Sequence, residues 1–160
     1  MDKVKIIKKE TDDLLKKMID KYEVDVTEAE GIYSVVIKTE EEAPTVIGRH
    51  GETIRAIQKI LEVMFYKHFG EPVELLVNVN DYRERQKARL EELAGRTAQK
   101  AQDMKSASYL RGLSAYERKV IHEYIVANYP DLTSYSTGEG PDRRLVVDLK
   151  ENAPATDETS

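Results

Sequence analysis

Two short stretches of this chain combine residue types suited to holding a negatively charged backbone. In Val46–Ile54, "VIGRHGETI", Gly48 and Gly51 bracket Arg49 and His50. Glycine at both ends of a four-residue connection allows backbone angles that a side chain blocks, and lets another backbone approach closely. The amides that open a following helix are unpaired and lie at the positive end of its dipole, where an anion fits. Arg49 adds a permanent charge, and His50 a donor that strengthens on protonation. Ile47 and Ile54 are candidates for an apolar wall beside the loop. A phosphodiester next to a base would use all of these. The plainer reading is a helix–helix turn with two solvated side chains, since Gly-x-x-Gly is a common spacing.

The second stretch is "YERKVIHEYI". Arg118 and His122 are four apart, hence on one face of a helix. Taken alone this too is an ordinary solvated pair. Arg143 and Arg144 open the last strand pattern, and Lys119 and Arg111 lie close in sequence. Tyr116 either offers a face for a base to stack on or packs under the helix. Arg83, Arg85, Lys87 and Arg89 suggest a basic track between the stretches. Glu84, Glu91 and Glu92 interleave with them, which is the pattern of a solvated helix.

Nothing in the chain points to catalysis. His50, His68 and His122 are the only histidines and are far apart in sequence; there is no cysteine. The H-E-x-x-H, G-x-x-x-x-G-K-[ST] and G-x-S-x-G patterns are missing. No catalytic residue, metal site or cofactor is expected.

The elements that must position these residues follow from periodicity. Residues 3–20 carry apolar positions at helical spacing. "YEVDVTEAEGIYSVVIKT" alternates and is divided by Gly31 into strands at about 22–27 and 32–39. Pro44 suits the first turn of a short helix that ends at Gly48. A longer helix follows Gly51, with Ile54, Ile57, Ile60, Leu61, Met64, Phe65 and Phe69 as its buried stripe, and stops at Gly70 and Pro72. "VELLVNVN" is a third strand. Residues 81–104 form a charge-laced helix with a seam of Leu90, Leu93, Ala94, Thr97, Ala98, Ala101 and Met104. "SASYLRGL" is a short extended piece. Ser114 and Glu117 make a capping box for a helix running to about Asn128. "LTSYSTG" and "RRLVVDL" are strands joined by the turn "GEGPD". Hairpin-type connections make the class α+β rather than a doubly wound parallel sheet.

The chain has 160 residues, net charge −5, 40 % hydrophobic residues and 34 % charged. The charge is unevenly spread: residues 1–45 carry a net −4, residues 151–160 a net −3, and residues 46–150 a net +2. A mildly basic middle fits a weak or focused binder of phosphate backbones, since the local field is what a ligand meets. No apolar run approaches the roughly 18–20 residues that span a bilayer, and the charged N-terminus lacks a signal-peptide stretch. A cytoplasmic protein without membrane insertion is expected.

The α-β-β-α-α-β order of the first half, with Gly-x-x-Gly between a short and a long helix, resembles a KH domain of type II topology. The resemblance implies that the backbone of Gly48, Arg49, His50 and Gly51 contacts nucleic-acid phosphates, with bases in the apolar groove beside it, for which Val46, Ile47, Ile54 and Ile37 or Val36 are the candidates. The α-β-α-β-β second half, with Arg118 and His122 on its central helix, resembles an R-3-H domain. That family is named for Arg-x-x-x-His and binds single-stranded nucleic acid, which implies phosphate or base contacts for Arg118 and His122. Lys119, Arg111, Arg143 and Arg144 are added on charge and expected proximity. The two patterns in this order, joined through "VNVNDYRERQKARLEELA", resemble the Jag family of bacteria, also called KhpB, over residues 3–150. The expected organisation is a KH domain at 1–80, an R-3-H domain at 81–150 and a disordered acidic tail at 151–160. Many Jag proteins carry a further N-terminal domain and linker; this chain begins almost at the KH pattern, so functions of that domain are not expected of it.

The resemblance implies a non-catalytic protein that binds single-stranded RNA, with single-stranded DNA as a second candidate. It also implies a role in post-transcriptional control linked to cell elongation and division, and a small single-KH protein as a partner in some bacteria. The alternative is a protein-interaction adaptor on a KH scaffold that binds little nucleic acid, favoured by the acidic N-terminal third and tail.

Overall fold

A computed structural model describes residues 2–154 of the chain. They divide into two units between Glu84 and Arg85.

The first unit contains α1 (Lys3–Leu15), β1 (Glu23–Ala29), β2 (Ile32–Lys38), α2 (Ala43–Ile47), α3 (Glu52–Phe69) and β3 (Glu74–Val79), with a single tight turn at Arg49–Gly51 before α3. The sheet order is β1-β2-β3. β1 and β2 are antiparallel, with Val26 opposite Val35, and β3 runs parallel to β2, with Val77 opposite Val35. Strand residues alternate between faces. Val35, Ile37, Leu75, Val77 and Val79 are therefore buried with Ile7 and Leu15 of α1 and with Ile54, Ile57, Leu61 and Phe65 of α3.

Two expectations need correction here. α1 stops at Leu15 rather than residue 20. The chain turns at Lys16–Met18, and Ile19, 3 % exposed, reaches the core from outside the helix. On α3 the buried stripe is Ile54, Ile57, Leu61 and Phe65, while Ile60 is 48 % exposed. Ile60 lies about 100° around the helix from Leu61, beyond the edge of a stripe of that width. Val63 and Tyr66 share its exposure.

The second unit contains most of α4 (Tyr82–Met104), then β4 (Ser108–Leu110), α5 (Ala115–Asn128), β5 (Leu132–Thr137) and β6 (Arg144–Leu149). Its antiparallel sheet has the order β4-β6-β5. Leu145 and Val147 of β6 and Leu132 of β5 pack on Leu90, Ala94, Ala98 and Ala101 of α4 and on Ile121 and Ile125 of α5. Met104, expected in the α4 seam, is exposed at the helix end. The two units thus run α-β-β-α-α-β and α-β-α-β-β, the α+β class expected. Of the acidic tail, residues 151–154 begin with a turn in which Asn152 and Ala153 N–H groups donate to Leu149 O; residues 155–160 lie outside the described residues.

Candidate nucleic-acid interface

The Gly48–Gly51 loop is built from below. Gly48 has φ 72° and ψ 178°, and a Cβ there would fall 2.1 Å from Thr53 Oγ1 and 2.9 Å from the Thr53 backbone nitrogen. Only glycine brings the chain that close to the start of α3. Gly51 has φ 73°, and a Cβ there would lie 2.9 Å from the Tyr82 hydroxyl. Between them His50 holds a left-handed φ of 55°, uncommon for a residue with a side chain. The Arg55 guanidinium, one turn into α3, donates from Nη1 to His50 O at 2.8 Å. Thr53, Arg55 and Tyr82 therefore fix the loop conformation.

What the loop presents is positive. α3 begins without a side-chain cap, so its first-turn amides and dipole face the loop. Arg49 is exposed and His50 half-buried beside it. Ile47 is partly exposed, but Ile54, expected on the groove wall, is 1 % exposed and belongs to the core under the loop. Val46 and Ile37 are wholly buried as well. The apolar support of this site is thus mostly interior, with Ile47 its accessible part.

The second constellation forms on α5. The helix opens with the expected capping box: Glu117 N–H donates to Ser114 Oγ at 3.2 Å, and Ser114 N–H donates to the Glu117 carboxylate at 2.9 Å. Glu117 is 1 % exposed, and its other oxygen is 3.6 Å from Arg89 Nη2. Immediately after it, Arg118 Nη1 donates to Leu113 O at 2.7 Å. One turn on, His122 Nδ1 is 2.6 Å from Ser134 Oγ on β5. Arg143 Nη1 donates to Gly138 O at 2.7 Å across the β5–β6 turn. Arg118, Lys119, His122 and Arg143 line one open cavity of about 330 Å³ with Ser134 and Ser136. Three charged side chains and an imidazole around a small polar hollow can hold a phosphate from several sides.

The six residues expected here do not all converge. Arg144, next to Arg143, is on the other face of the sheet, its guanidinium carbon 4.8 Å from the centre of the Tyr109 ring. Arg111 is exposed just past β4, at the Arg144 end of the sheet. Lys119 is exposed on the cavity rim, 3.9 Å from Glu123.

The suggested basic track on α4 is largely occupied. Arg83 donates to Val77 O and to Gln58 Oε1, which also accepts from Val77 N–H. Lys87 is 3.9 Å from Glu91, and Arg89 is drawn to Glu117. The supporting residues Thr53, Arg55, Tyr82 and Ser134 have no sequence signal of their own. Tyr82 and Arg83 fall inside the D-Y-R-E-R join, whose charge pattern suggests solvent. Among the described residues no group of three or more His, Asp or Glu side chains is placed to hold a metal ion, and no helix is long and apolar enough to cross a membrane.

Two family models match in the order of the two units: a KhpA/KhpB KH domain over residues 8–77 and an R-3-H domain over residues 88–149. The chain carries a KH domain of the KhpA/KhpB type followed by an R-3-H domain. Among curated relatives, the RNA-binding protein KhpB of Lactiplantibacillus plantarum is 36 % identical over 104 residues, 65 % of this chain and 32 % of the relative. That of Bacillus subtilis is 31 % identical over 114 residues, 70 % of this chain and 54 % of the relative. That of Streptococcus pneumoniae is 31 % identical over 105 residues, 66 % and 32 %. The chain therefore matches about a third to about half of the length of these relatives. The Gly48–Gly51 loop lies in the KH match, and Arg118, His122 and Arg143 lie in the R-3-H match.

Proposed function

We propose that this chain is a non-catalytic RNA-binding protein. The KH unit takes the sugar–phosphate backbone of single-stranded RNA at Gly48–Gly51, with Arg49 and His50 beside it and Ile47 as the apolar contact. The R-3-H unit takes a second segment at Arg118, His122 and Arg143. The observation that carries this reading is the convergence of those last three side chains, each held by a hydrogen bond, on one cavity. The relatives' name, RNA-binding protein KhpB, supports it. Two linked modules raise the effective concentration of the second contact once the first is made. The same chemistry accepts single-stranded DNA. Post-transcriptional control linked to cell elongation and division, in the cytoplasm, is the role that accords with the family.

The test is a titration of labelled single-stranded RNA at several salt concentrations. It compares the wild type with Arg49→Asp/His50→Asp and with Arg118→Ala/His122→Ala. Each pair is expected to weaken binding and flatten the salt dependence, by about 0.7 in log–log slope for each phosphate no longer neutralised. Equal affinities and slopes would remove the assignment.

A second reading, a protein-interaction adaptor, is favoured by one observation. Ile60, Val63 and Tyr66 form an exposed apolar strip on α3, which suits a protein partner such as a small KH-domain protein. Size-exclusion chromatography with and without RNase separates the readings. Co-purifying RNA supports the first; an RNA-free complex stable to RNase supports the second.

A further inference from the structure

The outer face of the second unit's sheet carries chemistry that the Arg118–His122 cavity does not use. On β6, Leu145 and Val147 point to the helices, so Arg144, Val146 and Asp148 point away. Val146 pairs with Tyr109 of β4 on one side and Tyr135 of β5 on the other. The three residues form a row across the sheet, with the tyrosine α-carbons about 10 Å apart. Val146 is 2 % exposed and sits between the two tyrosines of its row. Tyr109 itself is 54 % exposed. Arg144 stacks its guanidinium on one side of the Tyr109 ring, and Arg111 is exposed at the same end of the sheet. The one acid of the row's central strand, Asp148, is 7 % exposed and accepts from Leu149 N–H.

We propose that this face is a second nucleic-acid contact of the R-3-H unit, on which an unpaired base stacks at Tyr109 while Arg144 holds the adjoining phosphate. The occupant follows from the chemistry. An accessible aromatic face accepts any base, a guanidinium stacked on it stays beside the ring as a cation, and the cationic end of the face complements a phosphate. The surface is also continuous with the cavity. Tyr135, on the edge strand, borders the cavity and belongs to the row. Arg143 and Arg144 are consecutive and serve opposite faces. A single strand leaving His122 and Arg143 thus passes round the β5–β6 hairpin to Arg144 and Tyr109. The inference rests on the RNA-binding reading and extends it.

The test uses the full chain and a fluorescein-labelled oligouridylate of about 12 nucleotides, within the usual site sizes for single-strand binders. Tyr109→Leu keeps an apolar side chain beside Val146 but removes the aromatic face; Tyr109→Phe retains it. Tyr109→Leu and Arg144→Ser are each expected to weaken binding about tenfold, and Tyr109→Phe to bind as the wild type does. Wild-type affinity for Tyr109→Leu, beside weak binding by Arg118→Ala/His122→Ala, would overturn the second contact and leave the cavity assignment standing. If the wild type binds no oligonucleotide, the RNA-binding reading falls and this one with it. Should Tyr109→Leu lose its fold, photocrosslinking of a 5-iodouridine oligonucleotide to the wild type decides. An adduct on Tyr109 supports the contact, and adducts only elsewhere overturn it.

Discussion

His122 Nδ1 lies 2.6 Å from Ser134 Oγ, so the imidazole of α5 is pinned to the edge strand of its own sheet. Ser134 is 4 % exposed, which protects the bond from water. The ring is aimed before any ligand arrives, and its Nε2 is the nitrogen left to meet one. Ser134→Ala should free the ring and leave Nδ1 without its partner. A hydrogen bond of this kind contributes about 1 kcal/mol, so RNA affinity should fall roughly fivefold while the circular-dichroism spectrum stays unchanged. Anisotropy titration of the variant reads this; an unchanged Kd would mean that His122 orientation is irrelevant to binding.

Gly48 and Gly51 should differ in how they fail. Gly48→Ala puts a methyl against backbone as well as side chain, in a region of φ and ψ that other residues avoid. A loss of about 2 kcal/mol or more in urea unfolding is expected. Gly51→Ala meets mainly the Tyr82 hydroxyl. Adding Tyr82→Phe should recover about 1 kcal/mol relative to the sum of the single changes. Additive losses would show that Tyr82 does not limit the loop.

Arg83 is expected to act on stability and not on binding. Its forked guanidinium reaches Val77 O through Nε and Gln58 Oε1 through Nη2. Lysine keeps the charge but cannot make both bonds. Arg83→Lys should cost about 1–2 kcal/mol with the salt dependence of RNA binding unchanged. A flatter salt slope for the alanine variant than for the wild type would instead place Arg83 on a phosphate.

Tyr22 should give the KH unit an alkaline limit. Burial first, then its hydrogen bond to the Asp12 carboxylate, pushes its hydroxyl from 10.0 up to about 12. Folding thus favours the protonated phenol. That stabilisation is complete below pH 10 and disappears as pH rises from 10 to about 12. Asp12 behaves oppositely. Lys16 first, then Tyr22, hold its carboxyl below 3.8, so its contribution is present above that value and lost on acidification. Urea midpoints measured stepwise in pH should fall less steeply for Tyr22→Phe than for the wild type between pH 10 and 12. Parallel curves would remove Tyr22 from the alkaline limit.

The parts of the fold written in local signals were legible in the sequence. The Ser114–Glu117 capping box and the glycines around Arg49 and His50 depend on residues within four positions of one another. Arg118 and His122 share a face by helix geometry alone. What stayed hidden depends on register between distant segments. The His122–Ser134 bond needs β5 to return alongside α5. The separation of Arg143 from Arg144 needs the pairing of Leu145 with Leu110 and Ser136. Composition reads Ile54 as a groove residue or a core residue equally well; packing under the loop decides for the core. Arg83 sits among charges that suggest solvent, and only the return of β3 beside α3 supplies its acceptors.

The loop at Gly48–Gly51 is shaped by the chain's own Thr53, Arg55 and Tyr82. A partner therefore meets a finished surface, and few torsions remain to be frozen on encounter. Association at such a site is governed by diffusion and charge, while differences between one oligonucleotide and another appear in how long each stays bound.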